Sequence, residues 1–281
     1  MVAALRDALQ EVLPGWKQDI NPAWRHIVED VQLCFEKIPP DLTIEPWEPI
    51  FPTRRTRQFP GAPAGAHMLR AFDRIRPDEV RCILLGQDPY PCPAFSTGRA
   101  FEAGNAACWR ELDKMVSRSV RAFMLQIAAA RTGCPSHAAC FDQWPRLLAE
   151  IEAGRINFEP PESIANRWVD SGVLLLNSSL TLTRFRVDVD PHQSLGHLPL
   201  WRPLIVAAMG RVAARHPPVA VITFGDAAAD NARHAGVAAM AGVDVIERPH
   251  PAFADEFLAC DNPFLACNAH LRSCGTSPVD W

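Results

Sequence analysis

Four short runs of apolar residues stand out along the chain: Val80-Arg-Cys-Ile-Leu-Leu85, Gly172-Val-Leu-Leu-Leu176, Val219-Ala-Val-Ile-Thr-Phe224 and Val243-Asp-Val-Ile246. Runs of this length, bounded by glycine or polar residues, read as buried strands. Stretches of helical period alternate with them, at residues 109–131, 164–170, 201–216 and 227–235. Alternating strands and helices predict a mainly parallel four-stranded sheet flanked by helices, joined by right-handed crossovers into an α/β-layered fold. Ligands in such sheets bind outside the carboxyl ends of the strands.

Upstream, residues 3–12 and 23–38 have helix-compatible periodicity, and Pro39-Pro40 stops the second stretch. Residues 46–63 hold too many prolines for regular structure and include Arg54-Arg55-Thr-Arg57, a basic cluster that reads as solvated surface. Residues 131–162 look like an insertion, helical around 143–154. The expected organisation is one domain over residues 1–281 with that insertion.

Composition narrows the classes. With 48% apolar and 21% charged residues, the 281-residue chain is an ordinary globular protein. No apolar run reaches the ~18–20 residues of a membrane helix, and the first residues lack the apolar core of a secretory signal. A cytoplasmic location without membrane attachment is expected. Nine cysteines are scattered, without a C-x-x-C pair, and read as reduced thiols. Cys134, His137 and Cys140 fall short of the four ligands of a structural zinc site, so neither a metal nor another cofactor is expected. The net charge of −4 is not that of a strong non-specific nucleic-acid binder. Lysine is nearly absent (Lys17, Lys37 and Lys114 only), so positive charge is almost all arginine.

The chemistry gathers after the four runs. Gly86-Gln87-Asp88-Pro89-Tyr90 follows the first and contains the only tyrosine; Asn177-Ser-Ser follows the second; Gly225-Asp226 follows the third; Arg248-Pro249-His250-Pro251 follows the fourth. Taken singly, each is an ordinary turn or loop. Together they place a carboxylate, a carboxamide and a cation/imidazole loop on one rim.

The string Gly86-Gln-Asp-Pro-Tyr90, the Leu-Leu-Leu-Asn177 strand end, the block beginning Ala71-Phe-Asp73, and the closing Asn268…Pro278-Val-Asp-Trp281 resemble the main uracil-DNA glycosylase family. The resemblance runs from about residue 16 to the C-terminus, apart from the insertion. It implies hydrolysis of the N-glycosidic bond of deoxyuridine flipped out of single- or double-stranded DNA, by a monomer of uracil-DNA glycosylase fold. Asp88 would position water and stabilise the oxocarbenium-like sugar. Asn177 would read the uracil edge, Phe101 would stack on the base, Tyr90 would bar a thymine methyl, and the Gln87 N–H would meet uracil O2. Ser119 and Arg184 would contact phosphates, with Arg186 beside them. Gly225, Asp226, Pro249, Pro251, Ala252 and Phe253 would line the DNA.

The chain departs from the family at named places. Pro91 stands where the family has a histidine, and Asp226 where it has a serine. The last motif reads Arg248-Pro-His-Pro-Ala252 rather than His-Pro-Ser-Pro-Leu. Alignment through the prolines gives Arg248 the role of donor to the uracil anion, with His250 as rival; losing one such donor typically costs ~10²–10³ in rate. Ala252 is too small to fill the gap left by a flipped base, which leaves Phe253 or Arg248 as wedge. A phage-type inhibitor that grips the family leucine would bind weakly. With no lysine in these motifs, a lyase step has no evident nucleophile. The alternatives are a non-catalytic binder of uracil-containing DNA and a covalent trap through His250.

Overall fold

The computed structural model describes residues 2–185, 190–215 and 218–281. The chain opens with β1 (Ala3–Ala4), paired antiparallel with β2 (Thr43–Ile44), and α1 (Leu5–Val12) leads on from β1. The helix expected over residues 23–38 does not form. In its place are a 3₁₀ turn at Pro22–Trp24, a single helical turn α2 (Arg25–Val28), and another 3₁₀ turn at Phe35–Lys37. Trp24, Val28, Leu33 and Ile38 are all buried, but beyond Val28 they recur every five residues. A regular helix would turn the later ones away from the core. Tertiary anchoring decides the outcome: Trp24 donates its indole N–H to the Ile75 carbonyl (2.8 Å).

The four apolar runs form one parallel sheet: β3 (Cys82–Gly86), β4 (Val173–Asn177), β5 (Val219–Phe224) and β6 (Val243–Arg248), in the order β4-β3-β5-β6. Every residue of β3, β4 and β5 is buried, which requires cover on both faces. The edge strand β6 is only partly buried and carries Asp244 and Glu247, as suits an edge.

Further helices supply the outer layers: α3 (Arg118–Thr132), α4 (Trp144–Glu152), α5 (Ile164–Asp170), α6 (Leu198–Ala213), α7 (Asp226–His234), α8 (Ala254–Ala259) and α9 (Pro263–Ser273). Helices α3, α8 and α9 pack together, as do α2, α6 and α7, and β5 touches both α7 and α9. The expected helix over residues 109–131 is interrupted. A 3₁₀ stretch at Trp109–Lys114 ends before extended Met115, and α3 starts afresh after Ser117, whose hydroxyl donates to the Leu112 carbonyl. The break allows α3 to begin at the rim. The stretch expected at 201–216 is helical from Leu198 through Ala213, and its last residue, His216, lies outside the described residues.

Residues 131–162 join the common core through Trp144, Leu147, Leu148, Ile156 and Phe158. At the C-terminus the Asn268 carboxamide clamps Val279, donating to its carbonyl (2.9 Å) and accepting from its N–H (2.8 Å). That arrangement buries Val279 and Trp281.

Candidate active site

The parallel register sets Gly86 directly opposite Asn177. Glycine is required there. A Cβ at Gly86 would stand 2.6 Å from Asn177 Oδ1 and 3.3 Å from the Phe101 ring, so its absence admits both groups against the strand end. The turn beyond is laced together by main-chain bonds, with Ser178 N–H donating to Gly86 O and Ser179 N–H to Gln87 O, each at 2.9 Å. Asn177 is only 2% exposed, yet its Nδ2 has no partner among the described residues. A buried donor left open costs about 1–3 kcal/mol, and such a group points to a function.

Phe101 is held at φ 58°, a left-handed conformation that costs a bulky residue on the order of 1–3 kcal/mol. Phe123 stacks against the half-buried ring at 4.4 Å between centroids and Phe224 meets it edge-on at 5.0 Å. The strained backbone thus presents an aromatic plate whose back is packed. Tyr90 is fixed nearby, its hydroxyl donating to the Val116 carbonyl (2.7 Å) and its ring edge-on to Phe95. That bond ties the strand-end turn to the break before α3.

Asp88, two residues past Gly86, shares the rim with Asn177. It has some residual exposure, but its carboxylate sits deep enough that burial pushes its pKa from the ordinary 3.8 up to about 6. Two carboxamides oppose that rise. Gln193 Nε2 donates to both oxygens, at 2.6 and 2.8 Å, and Gln87 Nε2 donates to Oδ2 at 3.1 Å.

Across the rim, Gly225 (φ 83°) donates its N–H to the Arg248 carbonyl (2.9 Å) and lies under His250, whose Cβ would be 3.0 Å from a Cβ at that glycine. Burial lowers the His250 pKa to about 4, so the ring is neutral at pH 7. Its Nδ1 accepts the Ala252 N–H (3.2 Å). The proton therefore belongs on Nε2, which has no partner among the described residues. Arg248 is differently placed: its guanidinium donates to the carbonyls of Asp261 (2.9 Å) and Glu247 (2.8 Å). Of the two side chains, His250 keeps a ring N–H uncommitted among the described residues, whereas the Arg248 guanidinium is engaged.

The remaining residues divide. Ser119 sits half-buried in the first turn of α3, and Pro249 and Pro251 frame the His250 loop. Ala252 is exposed, and Phe253 is 62% exposed. Asp226 is exposed at the first residue of α7, where the helix dipole favours a carboxylate. No arginine pairs with it among the described residues. Arg184 is engaged internally by Glu48 (3.0 Å), Asp190 (3.5 Å) and His192, which binds it away from phosphates. Arg186 lies outside the described residues.

Local sequence gave no sign of Gln193, which reaches Asp88 from a wide six-residue helical turn at His192–His197. Arg118 was equally hidden. It donates to the Ala252 carbonyl (3.1 Å) and lies over the Phe141 ring at 4.4 Å, so Phe141 braces the His250 loop through Arg118.

Comparison with known proteins identifies the frame that carries these groups. The chain is 30% identical over 219 residues to the uracil-DNA glycosylase of Parafrankia sp. (strain EAN1pec), a match spanning 78% of this chain and 80% of that one. It is 26% identical over 273 residues to the uracil-DNA glycosylase of Porphyromonas gingivalis, spanning 93% and 98%. Among solved structures it resembles the wild-type UNG of Nitratifractor salsuginis (TM-score 0.61, 24% identity, 95% and 97% covered). It also resembles mimivirus uracil-DNA glycosylase (TM-score 0.63, 14% identity, 99% and 93% covered). These structural likenesses establish the fold. No family model matches. The chain belongs to the uracil-DNA glycosylase family.

Proposed function

We propose that this protein excises uracil from DNA by hydrolysis, as a member of the main branch of its family with a divergent last motif. The observation that carries this reading is the pairing of Asp88 and Asn177 on one rim across Gly86, the carboxamide buried with its Nδ2 open among the described residues. A pyrimidine ring seated there meets both ends of the Asn177 carboxamide, Nδ2 donating to O4 while Oδ1 accepts from N3–H. Cytosine offers a donor and a bare acceptor at those positions, so both bonds fail, and such a mismatch discriminates by orders of magnitude. The face of Phe101 away from Phe123 stacks on the base, Tyr90 occupies the space of a thymine methyl, and the Gln87 N–H assists at O2.

Such a pocket cannot reach a stacked base, so the nucleotide must leave the duplex. The C1′–N1 bond breaks with its electron pair passing to uracil, and the sugar becomes cationic. Ionised Asp88 stabilises that cation and orients the water. The water oxygen bonds to C1′, and its proton passes to Asp88. Neutral His250 donates Nε2–H to O2 as charge builds there, a role for which Arg248 is tethered away. Phe253 is the apolar group exposed enough to fill the vacated stack. With Ala252 in place of a leucine, a phage-type inhibitor that grips that leucine binds weakly, and the chain acts as a monomer.

The test is incubation with single-stranded uracil-containing DNA, analysed on denaturing gels with and without alkali. Alkali-labile breaks support hydrolysis. A band shift surviving denaturation means covalent capture, and the absence of both means a binder. Near-stoichiometric inhibition by the phage protein would refute the account of the last motif.

A further inference from the structure

Asp88 has unusual company. One nitrogen, Gln193 Nε2, lies 2.6 Å from Oδ1 and 2.8 Å from Oδ2, and Gln87 adds a bond to Oδ2 at 3.1 Å. Gln193 is 8% exposed and stands on the wide turn His192–His197, a helical form that recurs at functional sites. The turn is anchored one residue earlier, where the His192 N–H donates to Asp190 Oδ1 (2.8 Å) and the ring meets Thr183 Oγ1 (3.0 Å).

A carboxylate offers about four lone-pair sites. A nitrogen nearly equidistant from both oxygens takes the inner site on each, and Gln87 takes a further one on Oδ2. Among the described residues, one outward site on Oδ1 remains. We infer that Gln193 is a positioning residue for the proposed hydrolysis: it fixes the rotation of the Asp88 carboxylate, holds it ionised, and leaves Oδ1 to orient the attacking water. The inference rests on the glycosylase reading of the same site.

Among the described residues, no charged side chain competes for that role. Asp88 is shifted by burial and by the two carboxamides alone. His192, beside Gln193, is pushed below its usual pKa by burial and by Arg184, and Arg184, Asp190 and Glu48 pair among themselves behind it. The Tyr90 hydroxyl donates to the Val116 carbonyl, and neutral His250 accepts the Ala252 N–H at Nδ1.

The test uses the full chain with Gln193→Ala, Gln193→Glu and Gln193→Met, so that failure of one variant to fold leaves two others. Single-turnover uracil release is followed across pH, and the Asp88 carboxyl is titrated by carbon NMR, its signal assigned by its loss in Asp88→Asn. With the donor gone, the acid limb and the Asp88 titration should rise together, by about one to two pH units for a lost charge-assisted bond. Gln193→Glu should raise them furthest, since two carboxylates then share the site. KM should hold while the rate at neutral pH falls by about two- to tenfold as the ionised fraction drops. In an Asp88→Asn background, Gln193→Ala should cost nothing further. Variants that keep the wild-type acid limb and the wild-type Asp88 titration overturn the inference. If the wild type releases no uracil, the glycosylase reading falls, while the NMR titration still decides whether Gln193 holds Asp88 ionised.

Discussion

At the β3–β4 end of the rim the working groups stand on adjacent strands buried on both faces; at the β5–β6 end they stand on a partly exposed edge strand and its loop. The first half stores unfavourable features that only a rigid frame sustains: an open buried donor on Asn177, a left-handed phenylalanine, and a desolvated carboxylate. The second half keeps one desolvated group, His250, beside the exposed Ala252 and Phe253 and a surface carboxylate at Asp226. Recognition and bond cleavage need preorganised groups that cost nothing to reorganise during reaction. Gripping DNA tolerates variation, since phosphate contacts mainly position the duplex. Under the proposed hydrolysis, that difference accounts for a last motif that diverges beside an intact pocket.

The sharpest way to break the comparison is Asp88→Asn. Uracil release should fall to background, because neither water orientation nor cation stabilisation survives. The same change should stabilise the protein. The Asp88 pKa is raised in the folded state, so the fold binds that proton more tightly than the unfolded chain does, and raising the pH from about 3.8 through about 6 removes stability. Above pH 6 the penalty is on the order of 1–3 kcal/mol. Asp88→Asn should therefore raise the melting temperature at pH 7 and change it little at pH 4. Melting curves at the two pH values check the sign, and a variant destabilised at pH 7 would show that the carboxylate is structural. Next comes Asn177→Ala, which should lower kcat/KM for uracil by about 10³ while leaving affinity for an abasic product nearly unchanged.

Both residues were legible because they follow continuous apolar runs, and such runs identify buried strands with little ambiguity. The rest was hidden for physical reasons. Residues 23–38 look helical, but their apolar spacing slips once Trp24 is pinned to Ile75. Helices α8 and α9 lay in a stretch for which no element was expected, although Asn262 followed by Pro263 is a helix-start signal and Asn262 does accept the N–H groups of Phe264 and Leu265. Gln193 could not be read at all. It meets Asp88 across 105 positions of sequence, and a glutamine among Pro191-His-Gln-Ser-Leu195 carries no local mark.

Within the second half, the comparison is sharpened by separating its two rival donors, neutral His250 and Arg248. His250→Ala should slow single-turnover release by about 10²–10³, the cost of one donor to a developing anion. Arg248→Ala should cost less than about threefold, because its guanidinium is already engaged by the Asp261 and Glu247 carbonyls. Equal losses would mean that the loop rearranges when DNA binds.

The effect expected at Phe253 is smaller than that at His250, and it reports on the duplex rather than on the chemistry. Filling the gap left by a flipped base matters only where a stack exists, and unstacking costs a few kcal/mol. Single-stranded uracil demands little of it. Phe253→Ala should therefore slow release from duplex DNA by about tenfold while leaving the single-strand rate within about twofold. The ratio of the two rates is the measurement, since it cancels any general loss of active protein. A parallel fall on both substrates would place Phe253 in the pocket's own support, through the turn it makes with the His250 carbonyl (2.9 Å). The exposed half of the rim would then be bound to bond cleavage no less closely than the buried one.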